Sequence, residues 1–255
     1  MIGVIYIRII ISPAKKMKID NNIFAYTQMP MFVEKSQILS DYLKTLNFDE
    51  LKYIWKCSDN IAKQNFNIIK DMDLFNNLTP AILAYEGLQY QYMGAEVFTY
   101  NQIDYIEKHV RILSGFYGIL KPLDGIVPYR LEMQSRLIDW EHRTLYEFWE
   151  DKIANSIFSE SNCILNLASK EYSKIISKYL TENTKFINCV FGEIIDGKVI
   201  EKGTFAKMAR GEMVRFMAEN NIKEAEDIKI FNRLNYVYNK KLSDDANFVF
   251  IKVEK

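Results

Sequence analysis

Nine positions carry the chemistry that this 255-residue sequence could do most readily. Lys15 and Lys16 follow Ser12-Pro13-Ala14, Lys170 follows Ser169, and Lys207 and Arg210 stand in the run FAKMARG. Between them lies 111–136, RILSGFYGILKPLDGIVPYRLEMQSR, which adds Lys121, Arg130 and the glycines Gly115 and Gly118. Within that stretch Arg111, Lys121, Arg130 and Arg136 stand against only Asp124 and Glu132, a local charge of +2. Cations beside glycine turns and helix ends, where backbone N–H groups are free, are the parts of a phosphate site. Lys15, Lys16, Gly115, Gly118, Lys121, Arg130, Lys170, Lys207 and Arg210 are therefore the candidate phosphate-binding residues.

Secondary structure has to bring these residues together. Ile103, Ile106, Val110 and Leu113 have helical spacing and predict an amphipathic helix that stops at Ser114-Gly115. The glycine pair then turns the chain, with positive φ expected at one or both. Phe116, Tyr117, Ile119 and Leu120 would anchor that turn and leave its N–H groups directed outward, beside the basic cleft. After Pro128, YRLEM alternates like a short strand.

The opening MIGVIYIRIII is β-branched, carries Arg8 and is too short to span a bilayer, so it reads as a buried strand. Ser12-Pro13 suits the start of a helix after it. CILNLAS followed by Ser169-Lys170 and EYSKIISKYL repeats that order of strand, serine, lysine and helix. Residues 34–72 are helical by pattern, with Ser58 as a cap, and Thr79-Pro80 opens the helix AILAYEGLQYQYM. Its tyrosines Tyr85, Tyr90 and Tyr92 could stack on bases, but such density suits core and rim better. Thr144 caps LYEFWEDKIANSIF, Asp196-Gly197 marks a hairpin, and NRLNYVY and NFVFIKV close the sheet. Where strands feed helices, the junctions gather at one end of a sheet, so Lys15, Lys170, Lys207 and Arg210 should meet in one positive cleft.

Composition narrows the classes. Apolar residues make up 49% and the length suffices for a real core, as one domain over 1–255. Lys plus Arg equals Asp plus Glu at 33 each, so any affinity for nucleic acid must come from local clustering. Cys57, Cys163 and Cys189 form no Cys-x-x-Cys, and their odd number with no secretory signal points to a reducing cytoplasm. Cys163 and Cys189 sit in apolar runs and read as buried strand residues, not as peroxide sensors. His109 and His142 are the only histidines, too few for a His/Cys metal cage. No metal, cofactor or membrane contact is expected.

ISPAK at 11–15, LSGFYGILKPLD at 113–124, PYRLEM at 128–133, LYEFW at 145–149, NLAS at 166–169 and FAKMARG at 205–211 resemble, in order and spacing, the YaaA family of peroxide-stress proteins. The resemblance runs from about residue 8 to the C-terminus. It implies a cytosolic bacterial protein with a single, non-standard α+β fold: mixed sheet, flanking helices and a helix-hairpin-helix-like element matching LSGFYG. It also implies survival of hydrogen peroxide through restraint of free intracellular iron, and DNA binding in a positive cleft. That cleft falls here on Lys15, Lys121, Arg130, Lys207 and Arg210. The sequence departs from the family pattern at Lys16-Met17, where Thr-Leu is usual, and at Leu88-Gln89, where many members have Asp-Val. Pro122 cuts short any helix after the hairpin, and family chains begin near residue 8, so residues 1–7 are a strand extension or a matter of start site.

The leading expectation is thus a monomeric DNA-binding stress protein that contacts phosphates without reading sequence. The alternative is an enzyme acting on a phosphorylated small molecule or nucleotide, with Ser12, Ser169 or Glu132 near the chemistry. An iron-binding protein is a third class, with no carboxylates at ligand spacing to mark it. A deep, narrow pocket favours the enzyme, and a groove about as wide as a duplex, roughly 20 Å, favours DNA.

Overall fold

The computed structural model describes residues 7–20 and 23–253. The start of the opening strand call, residues 1–6, lies outside them. In chain order the strands are β1 (Arg8–Ile11), β2 (Lys16–Met17), β3 (Thr79–Pro80), β4 (Tyr85–Glu86), β5 (Val110–Ser114), β6 (Gly118–Leu120), β7 (Gly125–Ile126), β8 (Cys163–Leu167), β9 (Lys185–Ile195), β10 (Lys198–Ile200), β11 (Tyr236–Tyr238) and β12 (Asn247–Lys252). The helices are α1 (Val33–Thr45), α2 (Phe48–Trp55), α3 (Asp59–Lys70), α4 (Ala81–Ala84), α5 (Leu88–Met93), α6 (Tyr100–His109), α7 (Leu145–Trp149), α8 (Lys152–Glu160), α9 (Lys170–Ser177) and α10 (Gly203–Glu219).

Eight strands form one sheet in the order β11-β12-β9-β8-β1-β5-β6, with β10 paired to β9. Its centre is parallel: β12 on β9, β9 on β8, β8 on β1 and β1 on β5. Antiparallel β11 and β6 stand at its edges. Covered on both faces, a parallel strand reads as an unbroken apolar run, and Ile9, Ile10 and Ile11 are fully buried. This is the α+β fold with a mixed sheet and flanking helices. Among the described residues no helix is long and apolar enough to cross a membrane.

Local signals predict local structure well. Asp196 and Gly197 have φ of 50° and 73°, the paired positive values of a tight hairpin turn between β9 and β10. Thr144 accepts a hydrogen bond from the Glu147 N–H and caps α7, whereas Ser58 precedes α3 without a side-chain cap. Tyr85 and Tyr90 are core residues.

Five expectations are corrected. The helix read through Leu113 ends at His109, and Val110–Ser114 is a strand that pairs with β1 and β6. Its β-branched, fully covered residues gain more from the central ladder than from another helical turn. LSGFYG is therefore a strand, a turn and a strand, not part of a helix-hairpin-helix. In YRLEM, Tyr129, Leu131 and Met133 do alternate inward, but no ladder forms. Ser12-Pro13 starts no helix; its serine side chain is engaged elsewhere and the chain runs on to β2, which pairs with β4. Thr79-Pro80 pairs with β7, and the helix read over AILAYEGLQYQYM is split, because Tyr85–Glu86 pairs with β2 between the single turn α4 and the helix α5.

Gly118 is the expected positive-φ glycine, at 74°. A Cβ there would also meet the buried Trp149 ring at 2.9 Å. Trp149 donates through Nε1 to the Gly115 carbonyl at 2.9 Å, so helix α7 braces the turn.

Candidate functional site

Parallel neighbours β1 and β8 end side by side, and both run into a serine. Ser12 Oγ accepts from the Ser169 N–H at 2.9 Å and donates to Ser169 Oγ at 3.3 Å. The hydroxyl of Tyr90 donates to the Ser12 carbonyl at 2.9 Å, fixing the strand end against α5. Ser169 also opens α9, so a helix N-terminus faces the same space.

Two further segments complete the walls. In 129–132 the alternation that fails to make a ladder still sorts side chains, leaving Arg130 and Glu132 half-buried toward the cavity. Helix α10 crosses α5 at Gly211, where a Cβ would stand 2.1 Å from the Gln89 carbonyl oxygen. Only glycine permits that approach, and it brings Arg210, the residue just before it, and Lys207, about one turn earlier, over the cavity.

The result is a half-enclosed cavity of about 380 Å³ lined by five cations, Lys15, Lys16, Arg130, Lys207 and Arg210. Three carboxylates, Glu86, Glu132 and Glu171, share the lining. Lys15 pairs with Glu132 at 2.6 Å, Lys16 with Glu86 at 3.0 Å, and Arg130 approaches Glu132 at 3.8 Å. Arg210 pairs with Glu201 at 3.1 Å, and no ion pair holds Lys207 among the described residues. The Nε atoms of Arg130 and Arg210 are buried with no protein partner, so the fold leaves part of each guanidinium unsatisfied. Burial raises the Glu171 carboxyl above its ordinary value, and the nearby Glu132 charge adds to this, while the Gln134 N–H donated to it acts the other way.

Five of the nine candidate residues thus meet in one cavity, and four do not. Lys170 is exposed beside the lining residues Ser169 and Glu171. Gly115 stands behind the wall: a Cβ on it would lie 2.6 Å from the Leu131 carbonyl oxygen. Gly118 is buried under Trp149, and the turn's N–H groups point inward, with Phe116 and Tyr117 donating to Ser114 Oγ. Lys121 lines a separate cavity of about 230 Å³ with Arg111, Asp124 and Glu160. Sequence reasoning missed the floor tyrosines Tyr129 and Tyr172, the carboxylate Glu171 and the crossing at Gly211. Of these only Gly211 left a signal, a glycine inside a helical pattern.

Residues 7–242 match the family described as peroxide stress protein YaaA. The chain belongs to the YaaA family. It is 54% identical to a UPF0246 protein of Desulfitobacterium hafniense over 96% of this chain and 98% of that one. A UPF0246 protein of Agathobacter rectalis is 51% identical, over 95% and 98%, and one of Pediococcus pentosaceus 49%, over 97% and 98%. The YaaA blocks divide by role in the fold. ISPAK, PYRLEM, NLAS and FAKMARG each place residues on the cavity, whereas LSGFYGILKPLD and LYEFW pack against each other behind it.

Proposed function

We propose that this YaaA-family protein serves in peroxide stress by binding DNA at the cleft, through phosphate contacts that do not read base sequence. The observation that carries the reading is the convergence of five cations from three separate segments in a chain of net charge zero. Exposed Lys15, Lys16 and Lys207 at the mouth suit a passing backbone, and Lys170 extends that surface. Limiting free intracellular iron is the physiological output assigned to the bound state; the proposal gives iron no ligand set of its own. It takes residues 1–255 as one domain, working as a cytoplasmic monomer.

Fluorescence anisotropy with duplexes of unrelated sequence, across 50–200 mM salt, tests the reading. Similar affinities and a steep salt slope are expected, and Lys207→Ala should flatten that slope by about one phosphate's worth. Absence of binding at the lowest salt would overturn it.

A second reading, an enzyme acting on a phosphorylated small molecule or nucleotide, is favoured by one observation. The cavity is half-enclosed and holds Glu171, raised in pKa by burial, near Glu132, an arrangement suited to proton transfer. Turnover of a nucleotide panel, followed by mass spectrometry, would separate it from the first.

A further inference from the structure

We infer that the cavity takes a terminal phosphate monoester of DNA in preference to a phosphodiester within a strand. The inference rests on the DNA reading of the cleft and narrows its ligand.

Space comes first. At about 380 Å³ the cavity lies near the lower end of the ~300–1,000 Å³ that small-molecule sites occupy, room for one nucleotide-sized unit. A duplex roughly 20 Å across can lie over the mouth but cannot enter, whereas a strand end can. Lys15, Lys16 and Lys207, all exposed, then meet the backbone that leads away from the end.

Charge agrees. Five lining cations against three lining carboxylates leave +2, and burial works against ionisation of Glu171. A phosphate monoester carries about −1.5 to −2 at neutral pH, whereas a diester carries one charge. Deep in the site the cations are arginines: the Arg130 and Arg210 side chains are 11% and 16% exposed. Guanidinium forks match the several oxygens of a terminal phosphate, and the partially unsatisfied state of both groups leaves donors for it. The Ser169 hydroxyl, which accepts from Ser12, and the N-terminus of α9 supply neutral donors on the same cavity.

The test uses the full chain and one duplex sequence in four forms. These carry 5′-phosphate, 3′-phosphate or hydroxyl ends, or are closed covalently into a circle with no ends. At matched salt, one or both phosphorylated forms should bind at least tenfold tighter than the hydroxyl form and the circle. Excess deoxyadenosine 5′-monophosphate should abolish that increment. Arg130→Lys, which keeps the charge and removes the fork, should shrink the preference in protein whose melting curve shows it folded. Equal affinity for all four forms overturns the inference and leaves the DNA reading standing. Failure of every duplex to bind overturns both, even if the mononucleotide binds.

Discussion

Replacing Asp124 with asparagine should change how stability depends on pH, by an amount the structure allows to be worked out. The Asp124 carboxyl is 2% exposed; one oxygen accepts from Gln28 Nε2 at 2.7 Å and the other from the Lys121 N–H at 2.8 Å. Burial lifts its pKa to about 6, overcoming those two hydrogen bonds, and nearby Glu107 pushes the same way. The ordinary value is 3.8, so between that and about 6 the folded state holds a proton that the unfolded chain has released. A carboxyl raised in this way favours folding fully below the unfolded pKa, and the contribution is lost as pH rises through the folded one. The raise of about 2 units at ~1.4 kcal/mol each makes the loss about 3 kcal/mol. Asparagine does not titrate, and it keeps both bonds if the Gln28 amide turns to present its oxygen. Urea unfolding of both proteins from pH 4 to 7.5 would show it. The stability difference, variant minus native, should rise in the variant's favour by about 2.4 kcal/mol across the window, which opens just above the unfolded pKa, and then level off. A flat difference would refute the assignment of that pKa to burial of Asp124.

Gly211→Ala puts a methyl group 2.1 Å from a backbone oxygen of α5, so the two helices must part. It should cost about 3 kcal/mol and lower DNA affinity even in the folded fraction, read by melting and anisotropy. Gly118→Ala meets both a positive φ and the Trp149 ring, and should cost ~1 kcal/mol or more. Because that turn does not reach the cavity, DNA affinity below the melting temperature should be unchanged; a loss would mean the turn touches phosphate. Cys189 is buried, with its thiol pushed up to about 12, so a bulky disulfide reagent should label it last. Half-buried Cys163, whose thiol burial also raises, should react sooner than the strand reading of both cysteines implies. Labelling of Cys189 in the native protein at the rate of an exposed thiol would show that β9 opens.

What was legible in the sequence was what short stretches decide. The Asp196-Gly197 turn, the Thr144 cap and the apolar run of β1 depend on neighbours a few residues away. Lys15, Arg130, Lys207 and Arg210 were legible for another reason, since each lies in a block whose spacing marks it, and Lys16 stands directly beyond one of them. Val110–Ser114 was not legible as a strand, because Ile103, Ile106, Val110 and Leu113 keep helical spacing across the boundary. Its true partner, β1, lies a hundred residues upstream. Tyr129 and Tyr172 were hidden among many aromatics, and nothing in the spacing around Glu171 marked its carboxylate. Lys121 was misplaced because it was read with a turn thought to be exposed.

The serine junction also dictates when the cavity can exist. Its floor joins Ser12 to Ser169, residues 157 positions apart. The strand made first, β1, sits in the middle of the sheet between partners that begin at Val110 and Cys163. Contacts of such sequence separation are slow to form, since a long loop must close before any of them contributes. While the chain is being synthesised, β1 must wait for both neighbours, and its isoleucines have no lasting cover until then. The wall formed by α10 comes later still. A chain cut off between Ser169 and Gly203 would carry both cavity serines and two of its three lysines, yet no enclosed place for them to act.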